Sequence, residues 1–215
     1  SVQLTTDPGL DWVPWMIQTV NGRIWVFWQS DRTGKSQIFY KTNDGGTWSS
    51  DIQLTTHLSE NINPSAVQAQ DGTIWVFFAS DRKQSGQPPA QAPYGIFYKK
   101  SSNNGASWTG GSGPPAPADS WLTVGDTTFQ NTRPSAMQAQ DGVIWVVWQN
   151  RTSSNPLRHQ LYYSTYNGYW TSFGMKLWSD DLYDDFSPPI MQTKDGKIWD
   201  FYASIRADGI AYLWW

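Results

Sequence analysis

"MIQTVNGRIWVFWQSDR", residues 16–32, decides how this chain is read. An apolar run leads to Asn21-Gly22, and a second run rich in Ile, Trp, Val and Phe follows. Asn-Gly between two apolar runs is the strongest short signal of a β-hairpin, because a type I′ turn needs positive φ at both central residues. The same words return at 66–82 ("AVQAQDGTIWVFFASDR"), 136–152 ("AMQAQDGVIWVVWQNRT") and 190–206 ("IMQTKDGKIWDFYASIR"). Trp25, Trp75, Trp145 and Trp199 share one register, behind Gly22, Gly72, Gly142 and Gly196.

Each hairpin is followed by a third strand-like run, "QIFYKT", "GIFYKK", "QLYYST" or "GIAYLWW". A fourth run follows in the first three units: "DIQLTT", "SWLTVG" and "MKLWSD". The last unit lacks it, yet the chain begins "SVQLTT", nearly the words of 51–56. Four-stranded units repeating about every fifty residues predict β-propeller blades. The expected fold is an all-β, four-bladed propeller of antiparallel blades, spanning 1–215 as one domain. Blade 1 runs from about 11 to 57, blade 2 from 61 to 125, blade 3 from 131 to 180, and blade 4 from 185 to 215 plus 1–6. The N-terminal strand would complete blade 4 and close the ring, removing an open edge. A monomer is expected; a fragment of a larger ring, or two chains sharing an eight-bladed one, is the alternative.

The turns "KTNDGGTW" (41–48) and "SSNNGASW" (101–108) resemble the Asp-box of bacterial-neuraminidase-type repeats. Asn43 and Asn103 stand where that family has Asp; Gly45, Gly105, Trp48 and Trp108 match its Gly and Trp. "STYNGYW" at 164–170 is a degenerate third copy. The resemblance implies a turn tied by a polar side chain with a Trp packed beneath it. It also implies a propeller, but hardly a reaction, since the motif occurs in sialidases, other hydrolases and lectin-like propellers. Sialidases use an Arg triad, an Asp acid, and a Tyr nucleophile helped by Glu, on a six-bladed ring. This chain has one Glu, Glu60, and Arg133 in "NTRPSA" only faintly resembles the family's Arg-Ile-Pro stretch.

In a propeller the strand 2–3 loops and the inter-blade loops share one face. Arg32, Arg82, Arg151 and Arg206 are expected there in one register, as ties between blades or as a ring that holds an anion. Asp11, Asn61, Asn131 and Asp185 each precede a Pro by three residues on the same face. Gln18, Gln68, Gln138 and Gln192 are expected as inter-blade hydrogen bonds. Symmetry breaks there through Trp12, Arg133 and the "DDLYDDFSPP" loop (180–189), which brings Tyr183, Asp185 and Phe186. Residues 83–95 form a long insertion able to lie over the face.

With 15 Trp among 215 residues, no Cys, 15% charged residues and a net charge of −3, nothing points to nucleic acid, a membrane span or thiolate metal sites. His57 and His159 lack ligand spacing. No cofactor is expected, Ca²⁺ at "DDLYDD" being the one alternative. The favoured reading is a non-catalytic extracellular or cell-surface module of microbial type that binds a glycan or surface polymer. Trp12, Tyr183 and Phe186 would stack on sugar, with Asp11, Asp185 and Arg133 as hydrogen-bonding groups. The alternatives are a structural repeat of a surface protein and a sialidase-like glycoside hydrolase. Catalysis is left open, leaning against an enzyme.

Overall fold

The computed structural model describes residues 2–82, 94–109, 121–123, 129–152, 159–171, 174–177, 184–186, 189–205 and 211–214, with the backbone alone for Phe129, Thr152, Asp184–Phe186, Ala211 and Trp214. The fold is all-β with antiparallel sheets, one to each of the first three repeats. Repeat 1 orders β1 (Asp11–Gln18), β2 (Ile24–Ser30), β3 (Gln37–Asn43) and β4 (Ile52–Gln53) side by side. Repeat 2 gives β5 (Asn61–Gln68), β6 (Ile74–Ser80) and β7 (Gly95–Ser101). Its fourth-strand place is marked by isolated bridges, Phe97 to Trp121 and Lys100 to Thr109. Repeat 3 gives β8 (Phe129–Gln138), β9 (Ile144–Thr152), β10 (His159–Tyr166) and β11 (Met175–Lys176).

The fourth repeat is divided. β13 (Ile190–Gln192) pairs with β14 (Ile198–Asp200), while β12 (Asp184–Phe186), β15 (Tyr202–Ile205) and β16 (Ala211–Trp214) form a second small sheet. The Phe201 N–H bonds the Pro189 carbonyl at 3.0 Å, which links the two pieces. Residues 2–10 hold no strand, so the expected pairing of the N-terminal run with the last repeat does not occur among the described residues.

The hairpins form where expected, with a different turn. Gly22, Gly72, Gly142 and Gly196 have φ between +85 and +87, but the Asn or Asp before each does not have positive φ. Gly22 N–H returns to the Thr19 carbonyl and Thr19 N–H to Arg23, a type I turn closed by a left-handed glycine rather than a type I′ turn. Three other repeats make the same pair of bonds.

Repeats pack through their β2- and β3-type strands. One core cluster joins repeats 1 and 2 around Trp25, Phe27, Ile38, Leu54, Val76 and Phe78. The other joins repeats 2 and 3 around Trp75, Phe77, Ile96, Leu122, Val146 and Trp148. Trp15, Trp25, Trp75, Trp108, Trp121, Trp148 and Trp170 lie in or against these two clusters, as large apolar rings between two sheets should.

The glutamines form clasps at the hairpin face. Gln68 Oε1 accepts the Val20 N–H at 2.7 Å, Gln138 that of Gln70 at 2.6 Å, and Gln192 that of Gln140 at 2.6 Å. Each also donates to its own hairpin glycine carbonyl. Three of the four expected glutamines thus bridge repeats by one geometry, and Gln18 bonds its own hairpin alone among the described residues.

Candidate functional site

The opposite face, reached by the starts of the innermost strands, carries the candidate site. β1, β5 and β8 pair with their hairpin partners, but each register skips at one place: Trp12 to Trp15, Ile62 to Ser65, Thr132 to Ser135. These are β-bulges, and each contains a residue-Pro pair. Val13, Asn63 and Arg133 sit in them with φ of +53, +54 and +52. A side-chain-bearing residue in the left-handed region costs about 1–2 kcal/mol, and a residue before proline is normally extended. The conformation recurs in three repeats and belongs to the shared bulge, while the side chain that it presents differs in each.

The bulges converge on a cavity of about 370 Å³ lined by Val13, Trp15, Asn63, Pro64, Arg133, Pro134, Ser135 and Pro189. That size suits a small ligand or a short stretch of a polymer. All four repeats contribute to its wall, so it lies where the innermost strands meet. Trp15 is fixed across the first blade interface by an indole N–H bond to the Ala66 carbonyl at 2.9 Å. The Asn63 N–H bonds Gln29 Oε1 of the preceding repeat at 2.7 Å. Arg133 is exposed, with Nη1 3.5 Å from Gln149 Oε1. Among the described residues it is the one charged group in the wall. A large apolar ring, an amide and a guanidinium form the chemistry of a site for a polar, planar-faced, anionic ligand.

The arginine of the Asp-Arg pair after β2 and β6 turns back onto its own repeat. Arg32 donates to both Asp11 oxygens at 2.9 Å, to Asp51 and to Ser30 Oγ, and lies 4.6 Å over the Phe39 ring. Arg82 is buried, donates to Asn61 Oδ1 at 2.9 Å and lies 4.5 Å over Phe97. Asp31 and Asp81 accept the N–H groups of Leu10 and Glu60, just before β1 and β5. Burial pushes the Asp11 carboxyl up, but hydrogen bonds from Ser30, Thr5 and Arg32 and the Arg32 charge outweigh it and hold it below the usual range. Asp51 is held low in the same way by Lys41 and Arg32 against its burial.

Repeat 3 departs from this register. Asn131 pairs with Asn150 as Asp11 pairs with Ser30, which puts Arg151 one position ahead of Arg32 and Arg82. The expected ring of four arginines is therefore not formed by Arg32, Arg82 and Arg151. In repeat 3 the Asn150 amide itself reaches Asn131 Oδ1 at 2.7 Å, beside the Trp148 indole N–H at 2.9 Å.

Of the other expected ligand residues, Trp12 is partly exposed and Asp11 is taken up by Arg32 and by the Trp28 indole, and neither lines the cavity. Asp185 and Phe186 lie on β12 and pair with Ser204 and Ala203. Tyr183, Arg206 and most of the 83–95 insertion lie outside the described residues. The "DDLYDD" stretch is largely outside them as well, and among the described residues no group of three potential metal ligands occurs. Sequence reasoning found Arg133 and the placing of Trp12 and Trp15 around Pro14, but missed Val13 and Asn63. The available signal was the third place of the Asp/Asn-x-x-Pro register, where Val13, Asn63, Arg133 and Ser187 all differ.

The turns that resemble an Asp-box are tied by asparagine. Asn43 Oδ1 accepts the Gly45 and Gly46 N–H groups at 2.7 and 3.0 Å, and Asn103 Oδ1 accepts that of Ser107 at 2.9 Å. Trp108 then packs on Trp25, Phe27 and Tyr40 of the preceding repeat, and Trp170 on Trp75, Phe77 and Tyr98.

No family model matches the chain, and no curated protein matches it in sequence. Solved structures do match. A protein of unknown function from Dyadobacter fermentans superposes with a TM-score of 0.72 at 16% identity, over 97% of this chain and 66% of that one. A Hadza microbial sialidase gives 0.66 at 13% identity, over 94% of this chain and 43% of its own. A polysaccharide lyase, an ulvan lyase bound to a glucuronate–sulfated rhamnose unit, gives 0.61 at 12% identity, over 93% and 54%. This chain thus spans two thirds or less of the length of these neighbours. At such identities the likeness is one of fold, and it places the chain among propeller-fold proteins. It also corrects the favoured functional reading. The neighbours with printed activities cleave carbohydrates, so a non-catalytic binding module is not the reading this fold supports.

Proposed function

We propose that this chain belongs to a carbohydrate-cleaving enzyme, each of its repeats being one propeller blade, and that the cavity at the meeting of the innermost strands receives an anionic sugar unit. The observation that carries this reading is Arg133, exposed in the cavity wall and held there in a strained left-handed backbone. A guanidinium pairs two hydrogen bonds with a carboxylate or sulfate in one plane. The Trp15 ring offers an apolar wall for the face of a sugar ring. Ulvan and sialylated glycans, the substrates named for two neighbours, both carry such anions. The Asp-box reading of the 3–4 turns and a secreted or surface location belong to the same proposal, since polymers of this kind lie outside the cell.

Asp11 is paired with Arg32, and Asp31 and Asp81 hold backbone N–H groups, so these three carboxylates serve the fold rather than proton transfer.

The test is product release from uronate-bearing, sulfated, sialylated and neutral polysaccharides. Cleavage is expected on an anionic polymer, with loss of about 100-fold in Arg133→Ala, the worth of a charged hydrogen-bonded pair. Activity confined to neutral polymers, or unchanged in Arg133→Ala, would overturn the reading.

A further inference from the structure

The two ends of the blade series are open, and they are open at the same register positions that are closed elsewhere. Met16 of β1 stands where Ala66 and Ala136 stand in β5 and β8. Met16 is 68% exposed, whereas Ala66 and Ala136 are 2% and 7% exposed, each packed on the repeat before it. At the other end, Leu213 of β16 stands where Ile38 and Ile96 stand in β3 and β7. Leu213 is 78% exposed and both isoleucines are 0% exposed, packed on the repeat after them.

The polar and aromatic parts of the interface are unmatched in the same way. Gln68, Gln138 and Gln192 accept an N–H from the preceding hairpin. Among the described residues Gln18 keeps its own-hairpin bond to Gly22 but accepts no such N–H, and Lys194, at the place of Val20, Gln70 and Gln140, gives none. Trp108 and Trp170 enter the aromatic socket of the repeat before them. Trp48, the same residue of repeat 1, meets no aromatic ring among the described residues. The corresponding socket of the fourth repeat begins with Trp199 stacked on Phe201.

The two flanks are therefore the missing halves of one established interface. Between them they need a body that presents a hairpin N–H and an aromatic socket to blade 1, and a Gln and a turn Trp to the fourth repeat. A blade of this repeat has all four features. Four repeats overlie two thirds of the Dyadobacter fermentans chain, so the unmatched third has room for two more.

We propose that two further blades of the same kind, carried on the same polypeptide, fill the gap between the fourth repeat and the first and complete the ring. Residues 2–6 fit this arrangement. The Lys41 ammonium donates to the Leu4 carbonyl at 2.6 Å, so the segment lies against blade 1, where the outer strand of a preceding blade would run.

The experiment extends the chain with its own repeats. A copy of residues 41–166 is fused after Trp215, which finishes the fourth blade and adds copies of repeats 2 and 3. Melting temperature and light-scattering mass are measured for both lengths, each with Trp48→Ala and with Met16→Asp. In the 215-residue chain, a monomer is expected in which either change shifts the melting temperature by no more than about 2 °C. In the extended chain, also a monomer, melting should rise by about 5 °C or more, and Trp48→Ala should lower it by about 10 °C, as Trp108→Ala does in both. Met16→Asp keeps the test decisive should Trp48→Ala fail to fold, because it is harmless only on an open flank. Equal cost for Trp48→Ala in the short chain would mean the ring closes on itself. A dimer dissociated by Trp48→Ala would mean a second copy fills the gap. Silence of both changes in the extended chain would mean no blade docks there. Each of these three results overturns the proposal. None of them depends on enzymatic activity.

Discussion

In blades 1 and 2 an arginine follows the second strand and turns into the sheet. In blade 3 Asn150 takes over that tie, and a different arginine, Arg133, stands at the cavity. The two kinds of arginine share a face, a charge and nearly a depth in the chain, but their surroundings separate them. Arg32 is enclosed by two carboxylates, a hydroxyl and an aromatic ring, and in repeat 2 Asn61, Ser80 and Phe97 stand to Arg82 as Asp11, Ser30 and Phe39 stand to Arg32. Arg133 has no such counterpart, because repeats 1 and 2 have Val13 and Asn63 at its place. A repeated residue on a repeat protein's working face serves the blade first; the residue that breaks the repeat is where ligand chemistry is to be sought.

The comparison breaks most visibly at Arg32. Arg32→Ala leaves Asp11 and Asp51 facing each other without their shared cation, and it should cost about 3–5 kcal/mol in urea unfolding. A loss below about 1 kcal/mol would remove the distinction between the two arginines. Next in size is Asn150→Leu, which strips one of two donors from the buried Asn131 Oδ1 and should cost about 1–3 kcal/mol. The matching change at Arg151, one place along, should stay within about 0.5 kcal/mol.

Acid sharpens the same contrast. Asp11 and Asp51 have lowered pKa values in the fold, so they add stability at pH values above the unfolded carboxyl's range and lose it as pH falls through their folded values. Wild-type stability should fall below about pH 4, and the fall should be shallower in Asp11→Asn, whose carboxyl no longer titrates. Equal acid profiles for the two proteins would contradict the tie.

Much of the fold was legible because it depends on period. The Gly22, Gly72, Gly142 and Gly196 hairpins repeat in all four units, and the glutamine clasp repeats at the three junctions between them. What was misread lies where the repeat slips. "QNRT" replaces "QSDR", and only the pairing of Asn131 with Asn150 shows that Arg151 is displaced by one place. The turn type was missed because Asn-Gly suits both a type I′ turn and a type I turn closed by glycine. The cavity was missed because a bulge reverses which side chains face inward, and no periodicity reports a bulge. Likeness of "SVQLTT" to "DIQLTT" marks an outer strand but does not name the blade it belongs to.

The smallest stability effect carries the most weight. Arg133 holds φ at +52 before a proline, a conformation glycine adopts without strain. The measurement to make is urea unfolding of Arg133→Gly beside its cleavage of an anionic polysaccharide. If Arg133 is kept for the ligand, stability should hold or rise by about 1 kcal/mol while cleavage falls about 100-fold. A protein that loses stability, or one that cleaves as well as the wild type, would contradict the assignment of the cavity.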